Sequence, residues 1–253
     1  SATTYDVDEV TAHTLWSDVF ETDEIITTTE KELSVANNTT LNYITTITSE
    51  VITTVNGDSL DLVVQADIGD REFVSEDAAE TYTLSTDLGN MATGTLSIDG
   101  VVDGDDRSTI DMNGHNGFVL DKAENTLSMS DIKVTGSASG TGNLINNASG
   151  VVTMSNVIIE GTDDSINNDS EMKLSGMNEL LAGVVGEGSL SITSGETSAS
   201  TISQNEVNIA DNGKLNIDAS NLSANNLNNS GTLNFTGGEN SNEVNGDGTT
   251  RSN

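Results

Sequence analysis

Along most of the chain the apolar residues fall into short alternating runs: Leu233 and Phe235 flank Asn234, Val152 and Met154 flank Thr153, and Leu215 and Ile217 flank Asn216. A period of two over three to five positions puts one set of side chains on one face, which predicts short β-strands. The same phrase leads into each run: an apolar residue, a few small polar residues rich in Asn, Ser or Gly, then apolar-x-apolar. Ile145-Asn146-Asn147-Ala148-Ser149-Gly150 leads to Val152 and Met154, and Ile166-Asn167-Asn168-Asp169-Ser170 leads to Met172 and Leu174. Ile209 leads through Asp211-Asn212-Gly213 to Leu215 and Ile217, and Leu227-Asn228-Asn229-Ser230-Gly231 leads to Leu233 and Phe235. Looser copies end at Leu190 and Ile192, at Leu127 and Met129, and at Leu96 and Ile98, and Val35 to Tyr43 aligns without a gap on Ile209 to Ile217.

The first apolar residue of each pair is Leu96, Leu127, Val152, Met172, Leu190, Leu215 and Leu233, with separations of 31, 25, 20, 18, 25 and 18. The unit is thus about 20 residues with loop insertions. Several units carry a second short strand, at residues 131–134 and 156–160 for example. Such a unit cannot bury its own apolar face, so it must stack on copies of itself. The expected fold is all-β, a parallel β-helix or solenoid with coils of about 20 residues and an N-terminal cap. Roughly ten coils at about 4.8 Å would make a rod of about 50 Å. A leucine-rich repeat fits the period, but its helix-forming half is missing.

Composition sharpens this picture. The chain has 253 residues, no proline, no cysteine and 3% aromatics. Leu, Ile, Val and Phe make up about 24%, above the level of disordered chains. Zero proline suits a stack in which nearly every backbone N–H is a ladder donor, and few rings fit a narrow coil interior. Recurrent Asn at the corners suits positive φ, and aligned amides could bond along the stack.

The formal charge is −33, from 41 acidic and 8 basic residues. A field of that sign repels phosphate backbones, which excludes nucleic acid and disfavours anionic lipid as partners. No apolar run is long enough for a membrane-spanning helix. Residues 1–90 hold 19 of the acids and 2 of the bases. Within them Leu15, Trp16, Val19 and Phe20 fall on one face of a short helix. Residues 1–32 are read as an acidic cap or docking segment, and residues 33–253 as the β-helix.

Asn-Asn-Ser-Gly-Thr-Leu-Asn-Phe at 228–235, Ile-Asn-Asn-Ala-Ser-Gly-Val-Val-Thr-Met at 145–154 and Gly-Thr-Leu-Ser-Ile at 94–98 resemble the coil phrases of autotransporter passenger domains and adhesin-like surface proteins of Gram-negative bacteria. The resemblance implies a right-handed β-helix displayed outside the outer membrane for adhesion or self-association. The chain departs from a full family member in having no C-terminal membrane barrel.

Candidate chemistry is sparse. Gly57-Asp58-Ser59-Leu60 spells the nucleophile block of the GDSL esterases, yet the candidate base, His115, follows Asp111 at four residues where that family has three. The block reads more simply as a turn between two strands rich in Thr and Val. A polysaccharide lyase needs cations beside its acidic sugar, and a hydrolase needs paired carboxylates with aromatic platforms, whereas Phe73, Tyr82 and Phe118 stand alone. The chain is therefore expected not to be an enzyme. Asp103, Asp105 and Asp106, with Asp99 and Asp111 nearby, form the densest acidic cluster of the repeat portion. It reads first as a solvated acidic loop with no cofactor required, and calcium is the candidate ion, although the spacing fits no EF-hand loop. Neither His115 nor His13 has a ligand pattern. The expected role is an adhesive or structural module at the cell surface, whose partners are surface proteins, glycans or copies of itself. The alternative is a self-assembling fibre or matrix subunit.

Overall fold

The computed structural model describes residues 94–136, 143–161 and 166–252 in full, and eight strands of the chain before them. The molecule is all-β, a parallel solenoid of about 7 turns with about 20 residues per turn. Among the described residues the one helical piece is a single 3-10 turn, Ala219–Asn221.

Each coil contributes strands to three faces. Face A stacks Phe118–Leu120, Ile145–Asn147, Ile166–Asn168 and Val184–Val185. Face B stacks Gly94–Asp99, Asn125–Ser130, Val151–Ser155, Glu171–Ser175 and Ser189–Ile192. Face C stacks Asp106–Asp111, Ile132–Thr135, Ile158–Ile159, Met177–Leu180, Gly195–Ala199, Gly213–Ile217, Thr232–Phe235 and Thr249–Ser252. The strands Ile202–Ile209 and Leu222–Asn229 serve faces A and B in one run. Burial alternates along Ile202–Ile209 except at Asn205 and Glu206, two outward residues in succession that mark the bend between faces.

The apolar alternation of the sequence becomes continuous inward columns. On face B the column is Leu96, Leu127, Val152, Met172, Leu190, Val207, Leu227 and Val244, each in register with the next. All but Val244 are buried. Leu215 and Leu233 belong instead to face C, in register with Thr197 and with each other. The step from Leu190 to Leu215 therefore crosses from one face to another, and the true coils there run 17 and then 20 residues, to Val207 and Leu227. The cause is physical. The corner from A to B and the corner from B to C both join a strand end to a strand start through a tight polar turn, so the same phrase serves both.

The expectation of about ten coils is corrected by the pairing of the N-terminal strands. Val35 and Leu41, matched above to a coil phrase, face each other across an antiparallel pair, Leu33–Ala36 with Thr40–Tyr43. Glu24–Thr29, Thr48–Val55, Asp58–Gln65 and Arg71–Ser75 also pair antiparallel in succession. Parallel stacking starts where Arg71–Ser75 meets Gly94–Asp99 and Thr81–Thr83 meets Asp106–Asp111. The amphipathic segment at Leu15 to Phe20 lies outside the described residues.

Two kinds of residue let the coils approach closely. A column of glycines, Gly176, Gly195, Gly213, Gly231 and Gly248, opens face C on successive coils. At Gly195 φ is +77°, and a Cβ there would lie 2.1 Å from the Gly176 carbonyl oxygen, so only glycine fits. Inside the coil, amides replace apolar side chains at one position of face A. Asn147 Nδ2 donates to Asn168 Oδ1 at 2.8 Å, and Asn168 Nδ2 donates to Gln204 Oε1 at 2.7 Å. Gln204 reaches past the intervening coil because that coil carries Gly186 at this position. Stacked asparagines mostly keep negative φ: among the described residues only Asn113, Asp131 and Asn156 of the non-glycines are positive.

Candidate functional site

With the inward columns buried, function falls to the outward rows. On face B the row Ser97, Ser128, Thr153, Lys173, Ser191, Asn208, Asn228 and Asn245 runs the length of the stack. Short neutral polar side chains make up most of it. Several rows are tied along the axis by their own amides: Asn228 Nδ2 donates to Asn208 Oδ1 at 2.8 Å, and Asn225 Nδ2 to Asn205 Oδ1 at 2.9 Å. On face C, Asn234 Nδ2 donates to Asn216 Oδ1 at 3.1 Å. On face A, Asn167 Nδ2 donates to Asn146 Oδ1 at 3.1 Å. These bonds fix side chains that would otherwise lose rotamer freedom on binding.

Three lysines enter the faces as ion pairs, whereas Glu179 and Arg251 stand in the face C row of Ser198, Asn216 and Asn234 without one among the described residues. Lys133 meets Glu160 at 2.8 Å, Lys173 meets Glu171 at 2.9 Å and Lys214 meets Glu196 at 3.0 Å. Hydrogen bonds from Lys214, and then from the Asn216 amide, hold the Glu196 carboxyl below its usual range. Asp218 is held low by hydrogen bonds from the Ser220 hydroxyl and backbone N–H, which cap the 3-10 turn.

The acidic candidates are dispersed. Asp103 and Asp106 pair across the antiparallel strands Val102–Asp103 and Asp106–Asp111, with Gly104 at φ +62° and Asp105 between them. All three aspartates are exposed on this hairpin. Asp99 accepts from the Ser130 hydroxyl and Asp111 from the Asn113 N–H at 2.9 Å. Among the described residues no three His, Asp or Glu side chains group closely enough to hold a metal ion. Gly104, at positive φ, suits the two-residue hairpin that leaves all three carboxylates in solvent.

Ser59 lies within the strand Asp58–Gln65, in register with Thr54 of Thr48–Val55. Asp58, Ser59 and Leu60 of the GDSL block are thus strand residues and not a turn, and Gly57 lies outside the described residues. His115 sits in the corner between faces C and A, with its backbone N–H donating to Met112 O at 2.7 Å. His13 is outside the described residues. Phe118 is core.

Two features escaped the sequence. One is a shallow groove of about 320 Å³ on face B, lined by Ser191, Thr193, Asn208, Ala210, Asn228 and Ser230 over Ile192 and Ile209. It exists because residues from three coils align there, and no local signal marks it. The other is a set of exposed apolar residues on and beside face C, Met177 at 60% and Leu181 at 46% exposure. Among the described residues no helix is long and apolar enough to cross a membrane. Set against known proteins, the chain matches no family model, no curated protein and no solved structure.

Proposed function

We propose that the chain is a non-enzymatic surface module of the kind found in autotransporter passenger domains and adhesin-like proteins, displayed outside the cell and working by adhesive or structural contact. The observation that carries the reading is the set of long outward rows of Ser, Thr and Asn, tied along the axis and with Lys133, Lys173 and Lys214 ion-paired. Each single contact is weak, and repetition along the rod and between copies supplies the affinity. Surface proteins and glycans of a host or of neighbouring bacteria are the partners. Calcium acts by bridging carboxylates of separate copies, because like-charged surfaces meet only when screened or bridged. Residues 1–32 cap the stack together with the antiparallel strands before Arg71, which cover the sheet edge of the first coil.

The test compares the full chain in solution with the full chain displayed densely on beads, both offered to arrays of glycans and extracellular matrix proteins with and without calcium. The reading expects retention of the beads and, for the soluble chain, affinity weaker by about a hundredfold or more. Beads that hold to nothing, or a soluble chain that binds one compound as tightly as the beads do, would overturn it. End-to-end filaments in electron micrographs of the soluble chain would favour a self-assembling fibre subunit instead.

A further inference from the structure

In an Asn-Gly dipeptide the backbone attacks the side chain most readily, because glycine puts no Cβ beside the reacting peptide nitrogen. The attack needs that nitrogen free of a hydrogen bond and with room to close on the Asn Cγ. Five such pairs occur: Asn56-Gly57, Asn113-Gly114, Asn116-Gly117, Asn212-Gly213 and Asn245-Gly246. The first lies outside the described residues.

The other four differ sharply. Gly117 is buried, and its N–H donates to Asn143 O at 2.9 Å. The Gly213 N–H donates to Ala210 O at 2.7 Å. Gly246 is exposed, but it lies close against the preceding coil, where a Cβ would come within 2.3 Å of Asn229 O. Gly114 is exposed, its N–H meets no acceptor among the described residues, and nothing lies within 4 Å of the position a Cβ would take. The residue before it is anchored, since the Asn113 N–H donates to Asp111 Oδ1 at 2.9 Å.

We propose that Asn113 is a modification site at which the folded protein deamidates. The Gly114 nitrogen bonds to the Asn113 Cγ while its proton passes to solvent. The bond from Cγ to the side-chain nitrogen breaks, and ammonia leaves with a proton from water. Water then opens the five-membered imide at either carbonyl, giving Asp or isoaspartate at 113. The net change is amide plus water to carboxylate plus ammonium, with no change of oxidation state. One product adds a negative charge beside Asp111. The other also adds a methylene to the backbone of the corner between faces C and A, on the first described coil.

The test incubates the full chain at mildly alkaline pH, folded and in denaturant, and follows each Asn-Gly pair by peptide mass mapping with isoaspartate-specific methylation. In the folded protein Asn113 should react about fivefold or more faster than Asn116 and Asn212, the factor set by a hydrogen bond worth about 1 kcal/mol. In denaturant the rates should converge. The Asn113→Gln variant should keep the β-sheet circular dichroism and lose the earliest signal. A folded rate at Asn113 no faster than at Asn116 or Asn212 would overturn the proposal.

Discussion

Asn168 makes three side-chain hydrogen bonds inside the coil. It accepts from Asn147 Nδ2, and its own amide donates to Ser189 O at 3.0 Å and to Gln204 Oε1. Replacing it with alanine strips partners from two buried amides at once. Asn168→Ala should therefore cost about 2–3 kcal/mol, read from the urea midpoint, while the outward Asn146→Ala should cost less than about 0.5 kcal/mol. Glu196 behaves differently because it is outward. Its side chain is 35% exposed and that of Lys214 38%, so Glu196→Gln should cost under about 1 kcal/mol at neutral pH. The folded pKa lies below the unfolded one. This contribution is complete well above the ordinary carboxylate range and is lost as pH falls through the folded value. Unfolding midpoints of wild type and Glu196→Gln should then converge once the pH has fallen below the ordinary carboxylate range and through the lowered folded value.

At the scale of the strand, the structure turns a repeat into a register. Residues 190–206 form one complete coil, because Leu190 and Val207 occupy equivalent positions on face B. Deleting them joins Ser189 to Val207 and leaves every column aligned. That variant should retain a β-sheet spectrum and one cooperative thermal transition at lower temperature. Deleting residues 190–214 would join face B to face C and should abolish the transition. Alternation was legible wherever one side of a strand is buried and the other wet, which is why the column from Leu96 to Leu190 could be read directly. Beyond Leu190 the reading slipped, because Ile209 and Leu227 approach the B to C corner through the same polar phrase that Ile145 and Ile166 use at the A to B corner. The buried link from Asn168 to Gln204 was invisible for another reason: the coil between them contributes only Gly186. The outward rows were legible as polar positions, but the groove at Ala210 depends on three-coil alignment and could not be.

For the whole molecule, the charge of −33 and the neutral rows have separate places. Much of the acidity lies in the N-terminal 90 residues, with more in hairpins and corners, and the rows that would meet a partner are mostly uncharged or ion-paired. Contact along a flat face is then possible for a chain whose overall field repels. All of this rests on one fixed stacking of about 7 turns at about 4.8 Å. The absence of cysteine gives a clean background for testing it by disulfide trapping. Ser191 and Asn208 are neighbours in register on face B, within the roughly 4.4–6.8 Å Cα separation that a disulfide spans. Asn216 stands on face C, aligned with Ser198. Under mild oxidation the folded Ser191→Cys/Asn208→Cys variant should close its disulfide, and Ser191→Cys/Asn216→Cys should stay reduced. Closure of the second pair with the first left open would contradict the stack.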